Sequence, residues 1–242
     1  MHLRHLMIAS FFILALITGI RAQADVADLN SMSTRGLSDV DVSVFNLNEN
    51  TTLGSPLLTP DWKPGHLMLV EQDSFGYSVD VNLDFFKQQL YFRLTNGHIN
   101  VITTKFVKAV LVDTSATQSL LFRVFPKGDV EGGKSDELNF YQVLYEGPEY
   151  SLLKSYAKTF LRAEPETPYG TSRTYNEYRE KTFYWLKVGN QPYEKLKLQA
   201  KSVEKALSGE KAKIKELKGW NTFDLDTEDG AAKLLKLLDN AK

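Results

Sequence analysis

The 242-residue chain contains no cysteine. Disulfides, thiolate metal sites, a cysteine nucleophile and the lipid-bearing cysteine of a bacterial lipoprotein are therefore excluded. Histidine is nearly absent as well. Of four, His2 and His5 stand at the extreme N-terminus, which leaves His66 and His98. Zinc coordination needs several His or Cys ligands at close spacing, and the chain has no such group. A serine triad would have to borrow one of these histidines, and no G-x-S-x-G elbow exists to present its nucleophile. Beyond residue 20 no apolar run is long enough to cross a bilayer as a helix. An excess of one charge is missing too: 29 basic and 30 acidic residues give a formal net charge of −1, so no nucleic-acid partner is expected.

What is present begins with the N-terminus. MHLRH is a short basic start, Leu6–Ile20 is an apolar run of signal-peptide length, and RAQAD offers Ala22 and Ala24 as the small residues of a cleavage site. The expectation is a signal peptide over residues 1–24, cut after Ala24, and an exported protein, periplasmic or extracellular, with no transmembrane segment after cleavage. Cleavage removes Arg4 and Arg21 and no acid, so the mature balance is 27 basic to 30 acidic residues, a net charge of −3. Without disulfides the mature chain must rest on its hydrophobic core, which its abundant apolar and aromatic residues can supply.

Residues 25–38 lack periodicity and read as a flexible leader. Period-two alternation then dominates. DVDVSV sets Val40, Val42 and Val44 on one face. YSVDVNLDF sets Tyr77, Val79, Val81, Leu83 and Phe85 inward and leaves Ser78, Asp80, Asn82 and Asp84 to water. Asn96-Gly97 marks a hairpin turn. KFVKAVLVD, SLLFRVF, LNFYQVLY and KTFYWLKV bring the count to about eight strands, an antiparallel sheet that is curved or barrel-like. Over residues 148–180 the pattern fits a helix or a further strand, and ETPYGTSRT reads as a turn-rich loop. After residue 193 the period changes. Leu196, Ala200, Val203 and Leu207 form an amphipathic helical stripe, EKAKIKELKG a second short helix ending at Gly219, and a last helix capped by Asp226 or Thr227 buries Ala231, Leu234, Leu235 and Leu238. The fold class is therefore α+β, mainly β, with a β-rich domain over 39–193 and a small C-terminal α-helical unit over 194–242.

GSPLLTPDWKPG, FYQVLYEG and KTFYWLKVGNQPYEKLK, in that order and ahead of lysine-rich helices, resemble an uncharacterised family of exported proteins of the Bacteroidota. The resemblance runs from about Gly54 to Leu238 and implies no activity and no functional residue, because that family has none established.

The motif most suggestive of chemistry is GDVEGGKS, residues 128–135, which fits G-x-x-x-x-G-K-[ST]. A phosphate loop requires a buried strand before it and a helix N-terminus after it. Here DELNFYQVLY follows, rich in β-formers, so the segment is expected to be a glycine-rich hairpin loop with Asp129, Glu131 and Lys134 solvated. Asp80 and Asp84 share a strand face and read as surface acids; an oxygen-only calcium site there or at DLDTEDG (224–230) is outweighed by surface charge and helix capping. Nine of eleven tyrosines lie between Tyr141 and Tyr193. Their two readings are β-core filling and a contact surface for an envelope protein or glycan. Residues 195–218 carry eight lysines against three glutamates, read as a solvated helical face. No catalytic, cofactor-binding or metal-ligating residues are assigned from the sequence, and no cofactor. The expected function is a non-catalytic binding or structural protein of a bacterial envelope; the alternative is an envelope hydrolase acting on glycans through paired carboxylates.

Overall fold

The computed structural model describes residues 52–94, 97–163 and 175–241, apart from the side chain of Tyr77. The expected signal peptide, the leader, the DVDVSV segment, Asn96 and the ETPYGTSRT loop lie outside the described residues.

Alternating sequence becomes sheet throughout the first three quarters of the described chain. The strands are β1 (Thr52–Leu53), β2 (Lys63–Leu69), β3 (Tyr77–Asp84), β4 (Gln89–Arg93), β5 (Ile99–Thr103), β6 (Val107–Ser115), β7 (Gln118–Pro126), β8 (Leu138–Glu146), β9 (Tyr150–Leu161), β10 (Asn176–Val188) and β11 (Glu194–Leu196). They form one sheet, ordered β1-β10-β9-β8-β7-β6-β2-β3-β4-β5, with β11 also on β10. Every ladder is antiparallel except β1 with β10, so the sheet is mixed. The undecided segment 148–180 is strand over Tyr150–Leu161 and again from Asn176: β9 and β10 pair over twelve residues, from Tyr150↔Val188 to Leu161↔Glu177. Its aromatic and β-branched residues pack well on a pleated surface, which outweighs the helical spacing of Leu152, Tyr156 and Phe160.

The sheet is curved but not closed. Thr52 and Leu53 lie along β10, after which Leu57 bridges to Asp84 at the end of β3. The amide of Leu58 donates to Leu83 O and that of Phe85 to Pro56 O, so residues 52–58 span the space between the two strands. Gly54 makes the turn possible. Its φ is 76°, and a Cβ there would lie 2.5 Å from Tyr178 O.

Inside the curve Leu67, Val81, Leu83, Phe92, Phe122 and Phe140 form the main core. A second core joins the sheet to the C-terminal helices α2 (Ala200–Ala206), α3 (Lys211–Glu216) and α4 (Glu228–Asn240) through Leu152, Leu186, Val203, Ile214, Leu234 and Leu238. The helical unit thus shares its apolar interior with β9 and β10, and β11 extends the sheet past residue 193. A third cluster, on the other face of β8–β10, holds Tyr141, Leu153 and Trp185 with Val130 of the single-turn helix α1 (Lys127–Glu131). Each fully buried Leu, Val or Phe contributes about 1.5–3 kcal/mol relative to exposure.

The helix caps follow from the sequence. Thr227 accepts from the Gly230 amide at 3.1 Å and caps α4. Asp226 accepts from the Ala200 amide at 2.6 Å, so it serves the start of α2 instead. Asp239, only 7% exposed, accepts from the Tyr145 hydroxyl at 2.8 Å and the Glu149 amide at 3.0 Å, tying α4 to the β8–β9 turn.

One sequence expectation fails here. Asn82 and Asp84, placed in water by alternation, are 1% and 0% exposed. The segment after β1 covers that face of β3: Asn82 Nδ2 donates to Thr59 O at 2.8 Å, and Leu57 packs with Tyr91 and Val101, with Trp62 at the margin. The expectation assumed one wet face, and the proline-rich GSPLLTPDWKP stretch dries it.

Candidate functional site

Strands β8 and β9 pair from Glu146↔Ser151 to Gln142↔Lys154 and then part. Continuing the register would set Phe140 against Tyr156. Instead the Phe140 amide donates to Gln88 Oε1 at 2.9 Å. Gln88 lies in the β3–β4 turn with φ of 52°, a left-handed conformation uncommon outside glycine. Its Nε2 donates to Phe85 O at 2.9 Å, so one side-chain amide stands where a strand backbone would.

The parting opens a cleft of ≈ 200 Å³. Phe85, Phe86, Phe140 and Phe183 contribute aromatic walls. Tyr156 joins them, its ring stacked on Phe85 at 4.7 Å between centroids. Behind Tyr156 runs a polar chain: its hydroxyl donates to Gln142 Oε1 at 2.5 Å, and the Lys154 ammonium sits 4.8 Å from its ring centroid. Lys154 pairs with Glu228 at 2.8 Å, and the same Glu228 oxygen accepts from the Tyr184 hydroxyl at 2.8 Å. Burial pulls the Lys154 pKa down, but the Glu228 hydrogen bond and the surrounding negative charge outweigh it and the net shift is upward. The shift favours the protonated amine. Burial raises the pKa of Tyr156, with Lys154 opposing, so this hydroxyl is a neutral hydrogen-bonding group.

Of the charged groups that line the cleft, Lys127, Glu137 and Lys158 have an oppositely charged partner. Lys127 faces Glu137 at 3.8 Å, and Lys158, 9% exposed in its side chain, pairs with Glu180. Glu131 accepts from the Tyr141 hydroxyl at 3.0 Å. Burial first, then the charge of Glu131, drives the Tyr141 pKa upward. Asn139 also lines the cleft, but its Oδ1 is buried away from the open space and has no hydrogen-bond partner among the described residues.

The sequence candidates are dispersed around this cleft. GDVEGGKS is a connection between antiparallel strands, made of α1 and two glycines with φ of 80° and 98° at 132 and 133, and Gly128 N donates to Ser135 O at 2.8 Å. Asp129 and Lys134 are exposed as expected, whereas Glu131 is held by Tyr141. The anion cradle of a phosphate loop needs a longer helix than one turn. Asp80 pairs with Arg93 at 2.7 Å, whose guanidinium covers Trp62 at 5.2 Å. Asp84 accepts from the Phe86 and Lys87 amides, both at 2.8 Å, and from the Tyr91 hydroxyl at 3.3 Å. Burial raises its pKa and these bonds oppose the rise. Neither aspartate lines the cleft, and among the described residues no cluster of three potential metal ligands forms.

The tyrosines mostly face inward. Tyr141 and Tyr150 are buried, and Tyr145, Tyr156, Tyr178, Tyr184 and Tyr193 are half-buried; Tyr175 is exposed, and Tyr169 lies outside the described residues. Most are turned to the cores by their places on β8–β10; the hydroxyls of Tyr141, Tyr145 and Tyr184 donate to carboxylates, that of Tyr156 to Gln142, and that of Tyr193 bonds Ser151. The lysines of 195–218 are largely exposed; Lys195 caps the Phe183 ring at 3.6 Å, and Lys213 pairs with Glu210 at 3.3 Å. A wider hollow of ≈ 520 Å³ lies beside Trp62 and the β6–β7 turn, where Ser119 donates to Asp113 at 2.5 Å. It holds none of the orphaned acceptors seen among the described residues.

Gln88, Asn139 and Lys158 were not distinguished by sequence. Their importance arises from the splitting of two strands, which no local spacing encodes. Comparison of the chain with protein-family models, curated proteins and solved structures finds no match.

Proposed function

We propose that this is an exported, non-catalytic binding protein of a bacterial envelope, with the cleft between β8 and β9 as its ligand site. The observation that carries the reading is the cleft itself: adjacent strands are held apart by Gln88, and the space is lined by aromatic rings, by two ion-paired lysines and by Glu131. Pockets of this composition orient small ligands with a few placed polar groups. The inward tyrosines move the expected contact surface from the tyrosine-rich face to this opening, rimmed by Phe86, which is 45% exposed and packs edge-on to Tyr178. The test is a thermal-shift screen of the mature protein, residues 25–242, against solubilised envelope fractions and their purified small components. A component that raises the melting temperature in wild type and not in Phe86→Ala supports the proposal. A screen without a stabilising component overturns it.

One observation favours the second reading, a glycan hydrolase. Glu131 and Glu137 line the same cleft, as two carboxylates of a glycosidase would. Turnover of aryl glycosides abolished by both Glu131→Gln and Glu137→Gln would establish it, and no turnover would dismiss it.

A further inference from the structure

We infer that the cleft between β8 and β9 takes an extended peptide segment of a partner protein, added as a strand to the open edge of β9 and carrying a lysine or arginine toward Glu131. This rests on the cleft being the ligand site.

The edge follows from hydrogen-bond direction. Successive residues of an antiparallel strand turn their N–H and C=O groups to opposite sides. Gly147 N donates to Tyr150 O at 2.9 Å across the β8–β9 turn, and Gly189 N donates to Glu149 O at 2.6 Å on the β10 side. Even-numbered residues of β9 therefore face β8, and odd-numbered ones face β10. The β8 ladder ends at Lys154, whereas the β10 ladder runs on to Leu161. Tyr156, Lys158 and Phe160 thus turn their amides and carbonyls toward a strand that has moved away, and no hydrogen bond of the described residues reaches them. Opposite, on β8, the Phe140 amide is already taken by Gln88. The cleft lies in the plane of the sheet. Ser155, Tyr156, Ala157 and Lys158 all line it, and consecutive strand residues, whose side chains alternate between faces, share one space only at the backbone edge. An unpaired edge of this kind templates a further strand, because a peptide backbone brings donors and acceptors at the matching repeat. The enclosed ≈ 200 Å³ admits the leading residues of that strand, and the rest lies along Phe160, beside the exposed Phe86. Charge selects a side chain. Lys127 and Lys158 already have Glu137 and Glu180, whereas Glu131 has only the Tyr141 hydroxyl, at 3.0 Å. With Glu180 included, two lysines stand against three glutamates, so the cleft matches a cation and repels a further acid.

The experiment uses the mature protein and capped heptapeptides of alternating Val and Thr that carry Lys, Gln or Glu at the centre. Fluorescence polarisation reads affinity, and amide hydrogen exchange followed by NMR locates the site. The Lys peptide is expected to bind and to slow exchange at the amides of Tyr156, Lys158 and Phe160 by about tenfold or more, leaving Ala157 and Thr159, which β10 already holds, unchanged. The Glu peptide should bind about tenfold more weakly than the Lys peptide. Glu131→Gln, which keeps an acceptor for Tyr141, should remove that difference. N-methylation of every second peptide amide should abolish binding for one alternate set and spare it for the other, since only one set faces β9. Binding that survives methylation of either set overturns strand addition. Protection elsewhere than on β9 overturns the placement in the cleft, and equal binding of the Lys and Glu peptides overturns the selection of a cation. Protection of the same three amides without peptide also overturns the partner: if it grows with protein concentration the edge belongs to a second copy, and if it does not, to this chain itself. No binding by any peptide overturns the strand inference, and the separate envelope screen decides whether the binding role survives it.

Discussion

Removing the carboxylate of Asp239 should loosen the C-terminal helix from the sheet. Asp239 lies near the end of α4 and is 7% exposed. One oxygen accepts from Tyr145 of β8 at 2.8 Å, the other from the Glu149 amide in the β8–β9 turn at 3.0 Å. Each bond to a charged acceptor is worth about 1.5–3 kcal/mol, and desolvation of the carboxylate offsets part of the sum. Asp239→Ala should therefore cost about 3 kcal/mol. For a chain of this size each kcal/mol moves the melting temperature by roughly 2–4 °C, so the expected fall is about 6–12 °C. Asp239→Asn retains one acceptor oxygen and should lose about half as much. A second readout is specific to the contact. The Tyr145 pKa is pushed up to about 12, first by burial and then by its bond to Asp239, so its phenolate absorbance should appear at lower pH in the alanine variant. Gly147→Ala tests the same joint from the other side, because a Cβ there would overlap the Asp239 carboxylate and the Tyr145 hydroxyl. Circular dichroism melts decide the matter. A fall of under about 2 °C in Asp239→Ala, with Tyr145 titration unchanged, would refute the anchoring role.

The remaining predictions concern titration, backbone and the phosphate-loop lookalike. Tyr91, Tyr141, Tyr145 and Tyr150 all have raised pKa values, burial being the first cause in each. The folded state thus holds protons that unfolded tyrosines release near pH ~10. Their contribution is complete below that pH and is lost as pH climbs through the raised values, so urea midpoints should drop steeply above pH ~10. Gly54→Ala forces a Cβ to within 2.5 Å of Tyr178 O at a φ of 76° and should destabilise by about 2 kcal/mol or more in denaturant titrations. Magnesium-ATP should leave the melting temperature unchanged, and Lys134→Met should match wild type in stability, because Lys134 is an exposed loop residue.

The legible part of the fold was the part carried by strict periodicity. Strand β3, the hairpin of β4 and β5 with Gly97 at its turn, and the leucine stripe of α4 each follow from local pattern and turn chemistry. GDVEGGKS read as a strand connection because β-formers follow it, and the described structure agrees. Residues 148–180 stayed undecided because Leu152, Tyr156 and Phe160 satisfy two periods at once; the long β10 partner settles them, and partners are non-local. Asn82 and Asp84 defeated alternation for a similar reason, since the cover on their face comes from residues 55–62. The cleft was invisible. It depends on Gln88 meeting Phe140 across 52 residues of sequence, and an ordinary glutamine in a turn carries no mark of that encounter.

The stretch from Thr52 to Leu58 also has a meaning in time. Thr52 pairs with Asn176, 124 residues further along the chain. During synthesis the N-terminal end emerges first and finds no β10 to lie against. Pairings this distant form late, because the loop they close must be ordered before the contact repays it. The curved sheet therefore receives its last fastening from its earliest described strand, after almost all of the described β region has been delivered. Until β10 is complete the stretch from Thr52 to Leu58 has no strand to lock against, and the two ends of the curve stay apart.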